Sequence, residues 1–213
     1  MTINTTLKVT ALISLSLLVG CVGIITPDYE GGDAGYAVIG IGAAQGTMYT
    51  TYRFDFRKAD GTGIDSFFYF QNNSVWGRGN DYENGKETGV IDARALPPGE
   101  YEIYSYEIFH INGMVHRTFS PKEEFSIPFS ILPGETAYLG NYQANGLKAV
   151  NIFGMPLPGG AYFIHNDTVD RDIEIAKKLK PTFLVDKINK FLASKETLEL
   201  PYFEVLDNAA KKH

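Results

Sequence analysis

An aromatic ring stacks on a sugar or peptide ligand while nearby carboxylates, amides or a guanidinium orient it. One segment of this 213-residue chain gathers those groups. Residues 72–87 (NNSVWGRGNDYENGKE) hold the only tryptophan, Trp76, together with Arg78, Asp81 and Tyr82. The stretch is long and polar and shows no period, whereas elsewhere the aromatic residues alternate along predicted strands. Long loops on rigid scaffolds are a usual place for recognition. Trp76, Arg78, Asp81 and Tyr82 are therefore the candidate ligand contacts. The competing reading is an exposed hairpin loop with Trp76 tucked beneath it.

Other residues able to do chemistry are less persuasive. Residues 165–174 (HNDTVDRDIE) concentrate His165, Asp167, Asp170, Asp172 and Glu174, oxygens that a hard cation such as calcium could use. Their order does not match a D-x-D-x-D-G loop, and acidic residues at a helix start already suit the helix dipole. No metal site is expected. His110 and His116 flank Asn112-Gly113, and a two-residue turn there sends them to opposite faces. The glycines of GIGAAQG (40–46) lack the G-x-G-x-x-G spacing and precede a strand rather than a helix, so they indicate close backbone approach, not a dinucleotide loop. G-x-S-x-G, H-E-x-x-H and P-loop motifs are absent, and no cofactor is expected.

The single cysteine, Cys21, follows the apolar run 9–19 (VTALISLSLLV) and the lone cation Lys8. This is the charged start and short apolar core of a secretory signal, too short to span a bilayer as a permanent helix. Leu18-Val19-Gly20-Cys21 resembles the lipobox of bacterial lipoproteins. The resemblance implies cleavage before Cys21, diacylglycerol on its thiol and acylation of the new amine. Several chains on one residue anchor stably, since each buried CH2 contributes about 0.8 kcal/mol. Val22 follows Cys21 where enteric inner-membrane lipoproteins carry Asp, which leans toward the outer membrane, on its periplasmic face or at the cell surface.

The chain then divides into four parts: a signal peptide (1–20), the lipidated cysteine with a flexible tether (21–34), a β-sandwich (35–166) and a helical appendage (167–213). Across 35–166, period-two runs alternate with turn residues at eight- to twelve-residue intervals, the pattern of an antiparallel β-sandwich. DGTG (60–63) and Asn112-Gly113 mark hairpins, and Pro128 marks an edge strand. The appendage changes period. TVDRDIEIAKKLKPTF reads as one amphipathic helix broken at Pro181, and TFLVDKINKFLASK, with Leu184, Ile188, Phe191 and Leu192 on one face, as a second.

LPPGEYEIYSY (96–106) and LPGETAYLGNY (132–142) resemble signatures of bacterial lipoproteins carrying a transthyretin-like or carboxypeptidase-regulatory-like sandwich. That resemblance implies the fold and transfers no activity. Its physical basis is a Pro-Gly corner after which Leu96, Tyr101, Tyr138 and Leu139 enter the core.

Nineteen Lys and Arg against 25 Asp and Glu give a net charge of −6. An acidic body repels phosphate backbones and anionic head groups, so nucleic acid is not an expected partner. These features describe a mainly β, lipid-anchored cell-envelope protein acting as a structural or binding module for an envelope protein or glycan. A hydrolase acting on envelope polysaccharide, using paired carboxylates, is the alternative.

Overall fold

The run GYAVIGIGAA can be covered on both faces, because glycines and small aliphatics leave room above and below a strand. It forms β1 (Gly35–Ala44), at the centre of a mixed sheet. The computed structural model describes residues 27–47, 49–63, 65–72, 79–112, 115–180, 183, 187–193 and 203–205. The other elements are β2 (Thr51–Lys58), β3 (Ser66–Gln71), β4 (Tyr82–Glu83), β5 (Glu87–Leu96), β6 (Gly99–Asn112), β7 (Val115–Phe119), β8 (Ile127–Ile131), β9 (Thr136–Val150), β10 (Pro156–Asn166), α1 (Val169–Leu179), β11 (Ile188–Lys190) and β12 (Phe203–Val205). Seven strands form one sheet, ordered β12-β10-β9-β1-β5-β4 with β11 on β9. Five form the other, ordered β3-β2-β6-β7 with β8 on β6.

The inner faces of both sheets supply one core. Ile39, Ile41, Leu139, Tyr142 and Phe163 come from the larger sheet, and Tyr52, Phe54, Phe68, Phe70, Tyr106 and Phe129 from the smaller. All are at most 2 % exposed. Full burial of such a side chain contributes roughly 1.5–3 kcal/mol, so the strand alternation is what holds the sheets together without a disulfide. The turns are built as their residues require. Asp60 Oδ1 accepts from Thr62 N (2.8 Å) and Oγ1 (2.7 Å) between β2 and β3. Tyr101 donates to the Pro97 carbonyl (2.8 Å) across the Pro-Pro-Gly corner. Pro128 lies on β8, which pairs with β6 through Glu102.

Three expectations are corrected. The architecture is not antiparallel throughout: β1–β9, β9–β11 and β10–β12 are parallel pairs. Of the two C-terminal helices, α1 forms, but Ile188–Lys190 is a strand beside Thr136–Tyr138. Backbone pairing overrides the apolar spacing there, since Thr136 N donates to the Lys187 carbonyl (2.9 Å) and Phe191 N to the Tyr138 carbonyl (2.8 Å). The β6–β7 register pairs Asn112 with Val115 and His110 with Arg117. Asn112 therefore ends its strand rather than opening a turn, and Gly113 lies outside the described residues.

Helix α1 follows the dipole rule, with Asp170 and Asp172 in its first turn and Lys177 and Lys178 in its last. It covers the outer face of the larger sheet. Ile173 and Ala176 meet Val38, Ile91, Tyr138 and Phe183 in a second, smaller apolar cluster. Among the described residues no helix is long and apolar enough to cross a membrane.

Candidate functional site

Two of the four predicted contacts, Asp81 and Tyr82, are described; Trp76 and Arg78 lie outside the described residues, as does Cys21. Asp81 Oδ2 accepts from Ile91 N (2.7 Å), so its carboxylate fastens β4 to β5. Tyr82 points into the protein. Its hydroxyl accepts from Asn141 Nδ2 (3.2 Å) and from Gln143 Nε2, and Arg171 lies 4.0 Å over its ring. Burial pushes the Tyr82 phenol up to about 12, opposed by hydrogen bonds from Asn141 and Gln143.

These contacts belong to a polar seam between sheet and helix. Its centre is Asp172, which has no exposed surface. Oδ2 accepts from Tyr138 Oη (2.9 Å) and Thr168 Oγ1 (2.9 Å), and Oδ1 from Arg171 Nε (2.8 Å). The Tyr138 phenol is pushed far above its ordinary value, first by burial and then by the Asp172 charge. The glycines of β1 make room for the seam. A Cβ on Gly40 would overlap the Asn141 amide, and one on Gly42 would stand 2.5 Å from the Tyr82 hydroxyl. A bulge at Gly140 (φ +93°) turns both Tyr138 and Asn141 toward the helix. The seam satisfies its carboxylate internally, so its chemistry is that of a latch.

The outer face of the five-stranded sheet offers what the seam does not. Phe67, Tyr69 and Gln71 of β3 alternate with the core residues Phe68 and Phe70, and stand beside Asp55, Arg53 and Thr51 of β2. Arg53 and Thr51 in turn oppose Glu107 and Phe109 of β6. Tyr69 is 39 % exposed. Its hydroxyl donates to Gln71 Oε1 (2.8 Å). Arg53 spans Asp55 (2.9 Å) and Glu107 (2.8 Å), with its guanidinium 5.3 Å from the Phe67 ring centre. One row further, Arg57 pairs with Glu102 (2.9 Å) and Glu124 (2.9 Å) and lies 4.2 Å over Tyr104.

Burial and hydrogen bonding act beside the two arginines to set the electrostatics on this face. Hydrogen bonds from Ser126 and Arg57 hold the Glu102 carboxyl below its usual range, with burial in opposition. Asp55 moves the other way: burial raises it, and the nearby Arg53 charge only partly offsets the rise. The face thus presents rings, fixed cations and carboxylates in a plane. Sequence reading missed it because aromatics occupy both parities of SFFYFQ, so alternation did not separate core from surface. The signal available was that very excess: a strand needs one aromatic face for a core, and this one has two.

The acidic run 165–174 does not converge. Asp167 pairs with Lys190 (2.7 Å), Glu174 with Lys178 (2.5 Å), and Asp172 enters the seam. His165 is buried, donates to the Leu139 carbonyl, and has its pKa lowered by burial. Among the described residues no three His, Cys, Asp or Glu side chains are grouped as a metal site.

No family model and no curated protein matches this sequence. Among solved structures, a leucine-rich repeat protein from Bacteroides thetaiotaomicron VPI-5482 is similar at 10 % identity and a TM-score of 0.33. The alignment covers 54 % of this chain and 14 % of that one, so the chain spans about one-seventh of that protein's length.

Proposed function

We propose that this protein is a lipid-anchored glycan-binding module of the bacterial cell envelope. The observation that carries the binding reading is the outer face of the five-stranded sheet, where Tyr69 and Phe67 stand opposite Arg53 and Asp55, and Glu107 and Phe109 stand opposite Arg53 and Thr51. A sugar ring presents an apolar C–H face and a rim of hydroxyls. Tyr69 can take the first while the arginine and carboxylates take the second. Segment 72–87 follows β3 in the sequence, and its Trp76 and Arg78 are proposed as further contacts on the ring-and-guanidinium chemistry of their side chains alone. Asp81 and Tyr82 act at one remove, by holding the end of that segment on β5.

The anchor rests on the lipobox-like Leu18-Val19-Gly20-Cys21 and would place the module at the outer membrane, on the periplasmic face or at the cell surface. The sandwich is of the transthyretin-like class in this reading, supported by the Tyr101–Pro97 corner. A polysaccharide hydrolase is the second reading. Its carboxylate pair would be Asp55 and Glu107, which share Arg53, with Asp55 raised by burial toward the protonated form an acid catalyst needs.

Pelleting of the purified chain with insoluble cell-wall polysaccharide tests both readings. Wild type should sediment with the polymer, and Tyr69→Ala should weaken capture at least tenfold while far-UV circular dichroism stays unchanged. Equal capture of the two would overturn the binding surface. Release of reducing ends by wild type but not by Asp55→Asn would favour the hydrolase.

A further inference from the structure

Glu135 and Asp167 bracket 31 residues without a carboxylate, in a chain that carries 25 of them. Those residues are β9 and β10, and Lys148 is their only Lys or Arg. The hairpin they form ends in the largest exposed apolar cluster among the described residues. Val150 is 71 % exposed, Ile152 92 %, Phe153 78 % and Met155 54 %. Isolated exposed apolar side chains need no explanation, but four within six residues do.

The tip is built to present them. Asn151 Oδ1 accepts from both Phe153 N and Met155 N (2.9 Å each), Asn151 N donates to the Met155 carbonyl (3.0 Å), and Gly154 N to the Asn151 carbonyl (2.9 Å). Gly154 takes a positive φ of 76° to close the turn. With its backbone tied inward, the turn leaves Ile152 and Phe153 no neighbour to pack on.

The geometry points to a lipid surface as the occupant of this tip, with Val150, Ile152, Phe153 and Met155 entering the boundary between head groups and acyl chains. A protruding apolar knob needs either a matching pocket or a medium that conforms to it, and a bilayer conforms. Core burial accounts for the missing carboxylates over 136–144, but the outer part of the hairpin, 145–157, is largely solvent-facing and also carries none, and carboxylates close to a bilayer are costly to dehydrate. Lys148 lies near the tip, where a long stem lets its ammonium reach phosphate oxygens. This inference does not depend on glycan binding or on Cys21.

The test uses the full chain as Cys21→Ser, which removes its only thiol, with Met155→Cys carrying an environment-sensitive fluorophore. Phosphatidylcholine vesicles should shift its emission to the blue and at least double its intensity, and acyl-chain spin labels should quench it. The same fluorophore on Thr62→Cys, at the exposed β2–β3 turn, should not respond, even if the N-terminal run binds the vesicles. Adding Ile152→Asp and Phe153→Asp should abolish the Met155→Cys response with circular dichroism unchanged. Absence of a response at Met155→Cys, or an equal response at Thr62→Cys, would overturn the proposal. So would emission already blue-shifted without vesicles: rising with protein concentration, it would mean a second copy covers the tip, and otherwise the chain itself does.

Discussion

Tyr138 donates its hydroxyl hydrogen to Asp172 across 2.9 Å, tying the middle of the larger sheet to the first turn of α1. Neither group is accessible to solvent. The bond therefore exchanges none of its strength with water, and losing one partner strands the other in a low-dielectric seam.

Asp172→Ala should accordingly destabilise the fold by about 3 kcal/mol or more, since it leaves Tyr138, Thr168 and the Arg171 charge without their acceptor. Urea denaturation measures this as a lowered midpoint. A midpoint within error of wild type would mean the seam contributes nothing.

Gly42→Ala tests the packing of the same seam from below. The added Cβ would meet the Thr88 carbonyl and the Tyr82 hydroxyl, a backbone and a buried group that have little freedom to move. A cost of about 1–3 kcal/mol is expected from such overpacking. Gly32→Ala, which meets nothing within 4 Å, is the control and should leave the midpoint unchanged.

Much of this architecture is legible in the sequence. DGTG, Pro128 and the Pro-Pro-Gly corner each carry their turn chemistry locally, so their structures follow from neighbouring residues alone. Tyr138, Asn141 and Gln143 were harder: the bulge at Gly140 resets the alternation, and a period-two reading puts Tyr138 and Asn141 on opposite faces. Ile188 and Leu192 have helical spacing, yet a distant open edge at Thr136–Tyr138 decides their segment's conformation. The sequence marks Tyr82 as a ligand contact, whereas the structure turns its hydroxyl inward onto Asn141 and Gln143. Its partners, 59 and 61 residues away, could not be read from its surroundings.

His165 gives the fold a pH dependence. Burial lowers its pKa in the folded state, so the unfolded chain binds a proton that the folded chain refuses. Stability is full above the unfolded histidine value of about 6.5 and falls as pH drops below it, by at most about 1.4 kcal/mol per pH unit. Denaturation midpoints at pH 7 and pH 5.5 should differ for wild type and differ less for His165→Phe. An imidazole that titrates near 6.5 in the folded protein, seen by NMR, would contradict this.

Cys21→Ser should abolish incorporation of a palmitate analogue in cells and release the protein from the membrane fraction. Equal labelling of wild type and variant would refute the proposed anchor.

The central claim is that one sheet face binds glycan. Titrating muramidase-released cell-wall glycan into isotopically labelled protein, and following backbone amides by NMR, reads that face residue by residue. Saturable shifts should cluster at Arg53, Phe67, Tyr69 and Glu107, with Ile91 and Asn141 of the opposite sheet unmoved. No saturable shift, or shifts confined to residues outside the five-stranded sheet, would contradict the account.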